Sequence, residues 1–411
     1  MLIFDTVSFP WRSNRFTRLP GVCFLSFSGD SFEAVNGKFE KLNLKKIVLF
    51  CERGLIFGAS SPGRVRDFLN RRGRAVEVHG ISERRRGCLE SAVALSDRLV
   101  DEPPDACVAV GGGSVLDAAK LAVAAQGNPW LLDGSLWRNG PGMLPVEVAR
   151  RSQATPALVA VPTMPGSAAH ASDRVCLAAE PGQTRKLVHG RALLPDDTVV
   201  DTDFFDTLDS SVLLTSICEA LYRELGPYLV TRRSTRRQDR IGAGHVAGLL
   251  RLGETLLATG ELDERQRVEL DRLSSATMRG GHREDWMPAS HPWWCIQNSV
   301  LTEVNSTKGA LTARSVPNIL ARVEARDERL GTKRRLRALR WHMGNGSGGQ
   351  RRLCAFFAAV DDSVQPPIEP TSEATVRRWA HDAYGLWADL VPGIRALGVE
   401  GIQELLHEVG F

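Results

Sequence analysis

The sequence predicts an α/β N-terminal nucleotide-binding domain with a parallel sheet, followed by an all-α C-terminal domain. Three observations carry this. Up to about residue 205, short β-branched runs alternate with amphipathic helical stretches, the pattern of parallel strands joined by crossover helices. From about Ser210 onward, apolar residues recur at helical spacing with few strand-like runs. Between these regimes the chain is long enough, at 411 residues, for two domains of roughly 150 to 200 residues each. The expected division is 1–205 and 206–411.

The clearest strands are VCFLSF (22–27), KIVLFC (46–51), RAVEVH (74–79), ACVAV (106–110) and LVAVP (158–162). Helices are expected at Pro62 to Arg72 and Glu83 to Val100, and later in SVLLTSICEALYREL, HVAGLLRLGETLLA and VRRWAHDAYGLWADLV. Loop chemistry marks two breaks, GNGSGG (344–349) and VQPPIEP (364–370). The composition, 43% hydrophobic and 24% charged, is that of an ordinary globular protein. No apolar run is long enough for a membrane span, and the N-terminus lacks signal-peptide character, so a cytoplasmic location is expected. The eight cysteines are scattered without a C-x-x-C pair and read as reduced. A net charge of +4 spread along the chain gives no case for nucleic acid.

The most specific local signal is CVAVGGGSVLDAAK (107–120), a strand that runs into three glycines and then a helix. Glycines there let the backbone approach a pyrophosphate closely, and the N–H groups opening the helix attract its charge. Without a ligand the same residues would simply make a tight strand-to-helix turn. Asp117 and Lys120, three apart on the helix, suit a structural ion pair.

In context, GGGSVLDAAK resembles the GGGSxxDxAK signature of iron-containing alcohol dehydrogenases. KKIVLFCERGL (45–55), Asp105, ATPALVAVPTMPGSAAHAS (154–172) and RKLVHGRALLPDDTVVDTDFFDTL (185–208) are similar to further segments of that family in the right order. The resemblance covers roughly residues 20–230 and implies a dehydroquinate synthase-like fold and an NAD-dependent oxidoreductase. It implies that Gly111, Gly112, Gly113 and Ser114 hold the pyrophosphate, that Thr163 and Ser167 line the nicotinamide side, and that Lys186 lies near the cofactor. Glu52, where the family has an aspartate, would accept hydrogen bonds from the adenosine ribose and repel a 2′-phosphate, favouring NAD over NADP.

The family's metal-binding helix carries D-A-L-T-H, and two later histidines complete the site. The corresponding helix here reads Glu219-Ala220-Leu221-Tyr222-Arg223, and the candidate for the later segment, 297–320, contains no histidine. The expectation is therefore an enzyme without a divalent ion. Arg223 would either pair with Glu219 on the helix face or point into the cleft and hold an anionic substrate. His170, where the family has a glutamate, is the first candidate for general base.

The expected reaction is oxidation of a secondary alcohol or reduction of the matching carbonyl. The resemblance extends to branches serving natural-product pathways, including the daptide type of ribosomal peptide, which suggests oxidation of a β-hydroxy acid, such as a precursor's C-terminal threonine, with decarboxylation. The substrate is then a small molecule or a peptide, and the basic run RRSTRRQDR (232–240) is either a solvated charge cluster or a dock for an acidic leader. A homo-oligomer or a biosynthetic partner protein fits either case. Two alternatives stay open: a pseudoenzyme scaffold that retains NAD binding, and a metalloenzyme with relocated ligands at Glu219, His282 and His291.

Overall fold

A computed structural model describes residues 24–26, 37, 39–40, 43–55, 61–82, 87–144, 155–205, 208–283, 291–343, 347–364 and 371–411. Six strands form one sheet: β1 (Phe24–Ser26), β2 (Lys46–Glu52), β3 (Ala75–Ile81), β4 (Ala106–Gly111), β6 (Ala157–Pro162) and β9 (Asp197–Val200), in the order β1-β9-β6-β4-β2-β3. Every pairing in it is parallel. Parallel strands need covering on both faces, which is why KIVLFCE and ACVAVG are near-continuous apolar runs with buried interiors. Two core clusters lie on the two sides, one with Val48, Phe50, Cys107 and Ala109, the other with Ile47, Leu49, Val108 and Val110.

The five strands expected from composition are all present, and β9 completes the sheet. The sequence did not announce a second, three-stranded sheet. It consists of β5 (Met143–Leu144), β7 (Arg174–Leu177) and β8 (Lys186–His189) in the order β5-β8-β7. Its strands are too short to build a recognisable alternation.

The helices of this half are α1 (Ser61–Arg71), α2 (Leu89–Asp101), α3 (Gly113–Ala125) and α4 (Gly134–Asn139). Every residue of α3 from Val115 to Ala125 is buried, including Asp117 and Lys120. Its alanines let the helix lie close to β4 and β7 at once. The Lys120 ammonium bonds the carbonyls of Ala169 (3.0 Å), Ser172 (3.2 Å) and Arg174 and pairs with Asp117 at 3.0 Å, while Asp117 accepts from the Cys176 N–H at 2.9 Å. The pair is structural, as its spacing suggested. Expected residues 83–86 lie outside the described part, and α2 begins at Leu89.

From Ser210 on, the described residues hold no strand. They form α5 (Ser210–Val230), α6 (Arg236–Thr259), α7 (Glu264–Arg279), α8 (Pro292–Val300), α9 (Lys308–Glu324), α10 (Lys333–His342), α11 (Ser347–Val364), α12 (Glu373–Trp387) and α13 (Pro392–Glu408). Capping boxes open α6 (Thr235, Gln238) and α7 (Asp263, Gln266), and Gly260 in the left-handed region closes α6. Of the two expected breaks, 344–346 and 365–370 lie outside the described residues. Ser347, Gly348 and Gly349 belong to α11, contrary to a loop over the whole glycine run. The residues of RRSTRRQDR enter the first turns of α6, with Arg232, Arg233, Arg236, Arg237 and Arg240 exposed.

Two contacts lock the helical half onto the sheet half. A Cβ on Gly166 would lie 2.7 Å from the Cα of Ser216 in α5, and one on Gly309 in α9 would lie 1.8 Å from the carbonyl oxygen of Thr215. Only glycine permits either approach. The segment after β6, the middle of α5 and the start of α9 are thereby drawn to one place. Among the described residues no helix is long and apolar enough to cross a membrane, and seven cysteines are free thiols.

Candidate active site

The glycine turn stands at the carboxyl end of β4, in the middle of the sheet, where open α/β folds bind their ligands. Its glycines are not there for positive φ, since none of the three adopts it. They are there for clearance. A Cβ on Gly112 would lie 2.9 Å from Met164 Sδ, and one on Gly113 would lie 2.8 Å from Ser167 Cβ. The glycines let Met164 and Ser167 approach the turn, and no side chain caps α3, so its first N–H groups can attract an anion. Thr163 and Ser167 flank the turn: the Thr163 N–H bonds the Gly111 carbonyl at 3.2 Å, and Ser167 faces Gly113. Ser114 Oγ points toward Gly87 in the neighbouring loop. Glu52 ends β2, the strand beside β4, and is half-buried. The turn, Glu52, Thr163 and Ser167 therefore share one edge of the sheet, and these residues fit a dinucleotide.

Three sequence expectations need correction. Arg223 does not project into the cleft as an unengaged cation. Its Nε donates to Thr277 Oγ1 (2.8 Å), one terminal nitrogen to the carbonyls of Gly166 (2.8 Å) and Ser167 (3.0 Å), and the other to the carbonyl (3.3 Å) and hydroxyl (2.9 Å) of Ser274. All five N–H donors of a guanidinium are thus used. Glu219, one turn back, also pairs with it at 3.9 Å, so the expected helix-face pair is present beside these bonds. Burial lowers the Arg223 pKa to about 10, with Glu219 opposing the shift, and the side chain stays charged near neutrality. It ties the segment after β6 to α7.

His170 is 1% exposed, with Nε2 2.9 Å from Ser275 Oγ and 3.4 Å from Asp271 Oδ1, both on α7. Its Nδ1 is buried without a hydrogen-bond partner. A general base must reach a substrate proton, and this imidazole is turned into the helical packing. Lys186 is also buried: its ammonium donates to the carbonyls of Arg138 (3.1 Å) and Gly140 (2.6 Å), and desolvation lowers its pKa. It closes the loop after α4, and nothing in its contacts directs it to a cofactor.

The relocated metal set is not assembled. His291 bonds Tyr222 and the Leu330 carbonyl (2.9 Å) and caps α8, and burial pulls its pKa to about 4. His282 meets Glu224, at 2.6 Å, with His245 close by; one ligand-type atom from each lies within 4.8 Å of the others. Glu224 is fully buried, and burial tends to raise its pKa, but hydrogen bonds from His245 and His282 outweigh that and lower it. Arg283 and Arg223 both feel this carboxylate. A divalent ion here would add two positive charges to a buried region that already holds two guanidinium groups, so the trio suits an ion network better. At the position that resembles the family's metal helix, Arg223 presents a guanidinium, which is not a metal ligand. The residues present do not fit the family metal.

Lys308, within the histidine-free segment, is a residue that motif spacing did not single out. Gly309 holds it beside α5; its ammonium lies 3.4 Å from Cys176 Sγ and 5.2 Å above the Trp294 ring, with Asn298 on the same thiol at 3.9 Å. The adjacent glycine was the available signal.

A glycine turn at the centre of a parallel sheet, backed by a helical half, is the arrangement that the comparisons with known proteins address. Residues 24–202 match the family described as iron-containing alcohol dehydrogenase. A probable alcohol dehydrogenase of Escherichia coli, EutG, is 28% identical over 163 residues, which cover 39% of this chain and 38% of the relative's length. The fold is similar to that of an NADH-dependent butanol dehydrogenase from Thermotoga maritima (TM-score 0.77, 17% identity, 97% of this chain and 99% of the other). It is also similar to that of a sulfoacetaldehyde reductase from Bifidobacterium kashiwanohense solved with NAD+ (TM-score 0.70, 12% identity, 93% and 95%). Residues 24–202 thus resemble the iron-containing alcohol dehydrogenases in sequence, and the described chain shares the fold of their solved structures.

Arg223→Ala should cost on the order of 3–5 kcal/mol in a denaturant titration, because it orphans buried carbonyls and hydroxyls on two elements. Arg223→Lys should recover little of this, since an ammonium cannot span five acceptors. A loss under 1 kcal/mol for the alanine variant would contradict the tie.

Proposed function

We propose that the chain is an NAD-dependent oxidoreductase that interconverts a secondary alcohol and its carbonyl without a resident divalent ion. The observation that carries this is the clearance at Gly112 and Gly113, kept beside Glu52, Thr163 and Ser167, together with a guanidinium where the family holds its metal. NAD, when bound, accepts the hydride from the carbinol carbon. The protein's part is alignment and charge. The Lys308 ammonium opposes the negative charge that develops on the substrate oxygen, and the half-exposed Glu219 receives the alcohol's proton. A β-hydroxy acid, free or at a peptide's C-terminus, is a suitable substrate, because its oxidation gives a β-keto acid that loses carbon dioxide readily. Such a role belongs in the cytoplasm, with a peptide, an identical subunit or a biosynthetic enzyme as partner.

A second reading, an NAD-binding scaffold, is favoured by one observation: His170 and Arg223, the two candidates for chemistry, are both engaged in packing. Turnover separates the two. Lys308→Met should leave NADH binding, followed through the nine tryptophans, within about twofold while cutting kcat/KM roughly ten- to hundredfold. Unchanged turnover removes Lys308 from the mechanism.

NADH should bind more tightly than NADPH, and Glu52→Ser should narrow the gap. Equal affinities in the unmodified chain would refute the role of Glu52. Elemental analysis after purification without chelators should find no stoichiometric iron or zinc. One metal per chain lost on Glu219→Ala would restore the family site; one lost on His282→Ala would assign it to the Glu224 trio.

A further inference from the structure

A cavity of about 170 Å³ opens between the sheet half and the helical half. One wall is Gly87, Cys88, Gln183 and Arg185; the other is Asn298 and Thr302, at and just beyond the end of α8. No carboxylate is among the described residues that line it. The nearest acid along the chain, Glu180, faces Arg138 (3.6 Å) and Gln183 (3.4 Å). Among the described residues no carboxylate pairs with Arg185, in a chain where most buried or half-buried arginines have one.

Position adds to charge. The point where a Cβ of Gly87 would stand is 3.2 Å from Arg185 Nη2 and 3.4 Å from Ser114 Oγ, so the guanidinium borders the nucleotide turn. On the opposite side Asn298 touches Cys176, whose thiol meets Lys308. One wall of the cavity thus carries the arginine that borders the turn, and the other carries Asn298, which Cys176 separates from the lysine assigned to the reacting oxygen. The cavity volume matches about five or six waters, enough for the acidic end of a short oxo acid.

We propose that this cavity seats the carboxylate of the substrate, with Arg185 as its counter-ion, which narrows the dehydrogenase reading on which it rests to hydroxy and oxo acids. Arg185 takes the task once expected of Arg223. A planar fork suits a carboxylate bidentately, and Thr302 and Gln183 add polar groups at the rim.

The test uses the full chain saturated with NADH and two probes, acetoacetate and acetone, followed by NADH and tryptophan fluorescence. Acetoacetate should bind saturably and at least about tenfold more tightly than acetone. Arg185→Gln should abolish that preference while leaving the NADH affinity within about twofold, and Arg185→Lys should restore part of it. Equal binding of the two probes, binding of neither, or an acetoacetate affinity indifferent to Arg185→Gln overturns the proposal. If Arg185→Gln weakens NADH itself tenfold, the anion at Arg185 is the cofactor's pyrophosphate and the substrate assignment is wrong. A chain that binds no NADH at all defeats the dehydrogenase reading first, whereas NADH binding without discrimination between the probes defeats only the subsite.

Discussion

The contact between the Arg223 guanidinium and the carbonyls of Gly166 and Ser167 fixes the geometry of everything near the cleft. The segment that follows β6 has few side chains of its own to anchor it: Gly166 is bare, and Ala168 sits in the left-handed region at φ 48°. Its outward carbonyls would be costly inside a protein without donors. A single residue supplies them, and spends its remaining donors on Ser274 and Thr277 of α7. Ser274 returns a bond to the Pro165 carbonyl at 2.5 Å, which closes the network. The wall that faces the glycine turn is thereby held from behind.

From that tie the rest follows as packing. Gly166 brings α5 to the segment, Gly309 brings α9 to α5, and Lys308 is delivered next to Cys176. Three regions remote in sequence converge there, and backbone contact distances set their spacing. Arg185 lines a cavity that has no carboxylate among its described lining residues, and Lys308 lies beyond Asn298 and Cys176.

Much of the fold was legible because hydrophobic periodicity and glycine placement are local. The strands at 46–52, 106–111 and 157–162 and the helices from Ser210 on follow directly from such patterns. The small sheet of β5, β7 and β8 was not legible, since strands of two to four residues carry no period. At the site, the glycine turn follows β4, and Glu52 ends the neighbouring strand β2. The side chains of His170, Lys186 and Arg223 could not be oriented from sequence, because each is decided by partners between 46 and 105 residues away. A residue type states which chemistry is available; only tertiary contacts say whether its donors are already taken. Arg185 and Lys308 escaped notice for the complementary reason. An unpaired cation looks like any surface lysine or arginine until the cavity beside it is seen.

The tie at position 223 also bears on what can replace it. A histidine there, as in metal-holding relatives, presents two nitrogens in place of five donors. Exchange of Arg223 for histidine would strand the Gly166 and Ser167 carbonyls and the Ser274 hydroxyl. A single substitution at position 223 therefore unsettles two elements at once, the segment after β6 and α7.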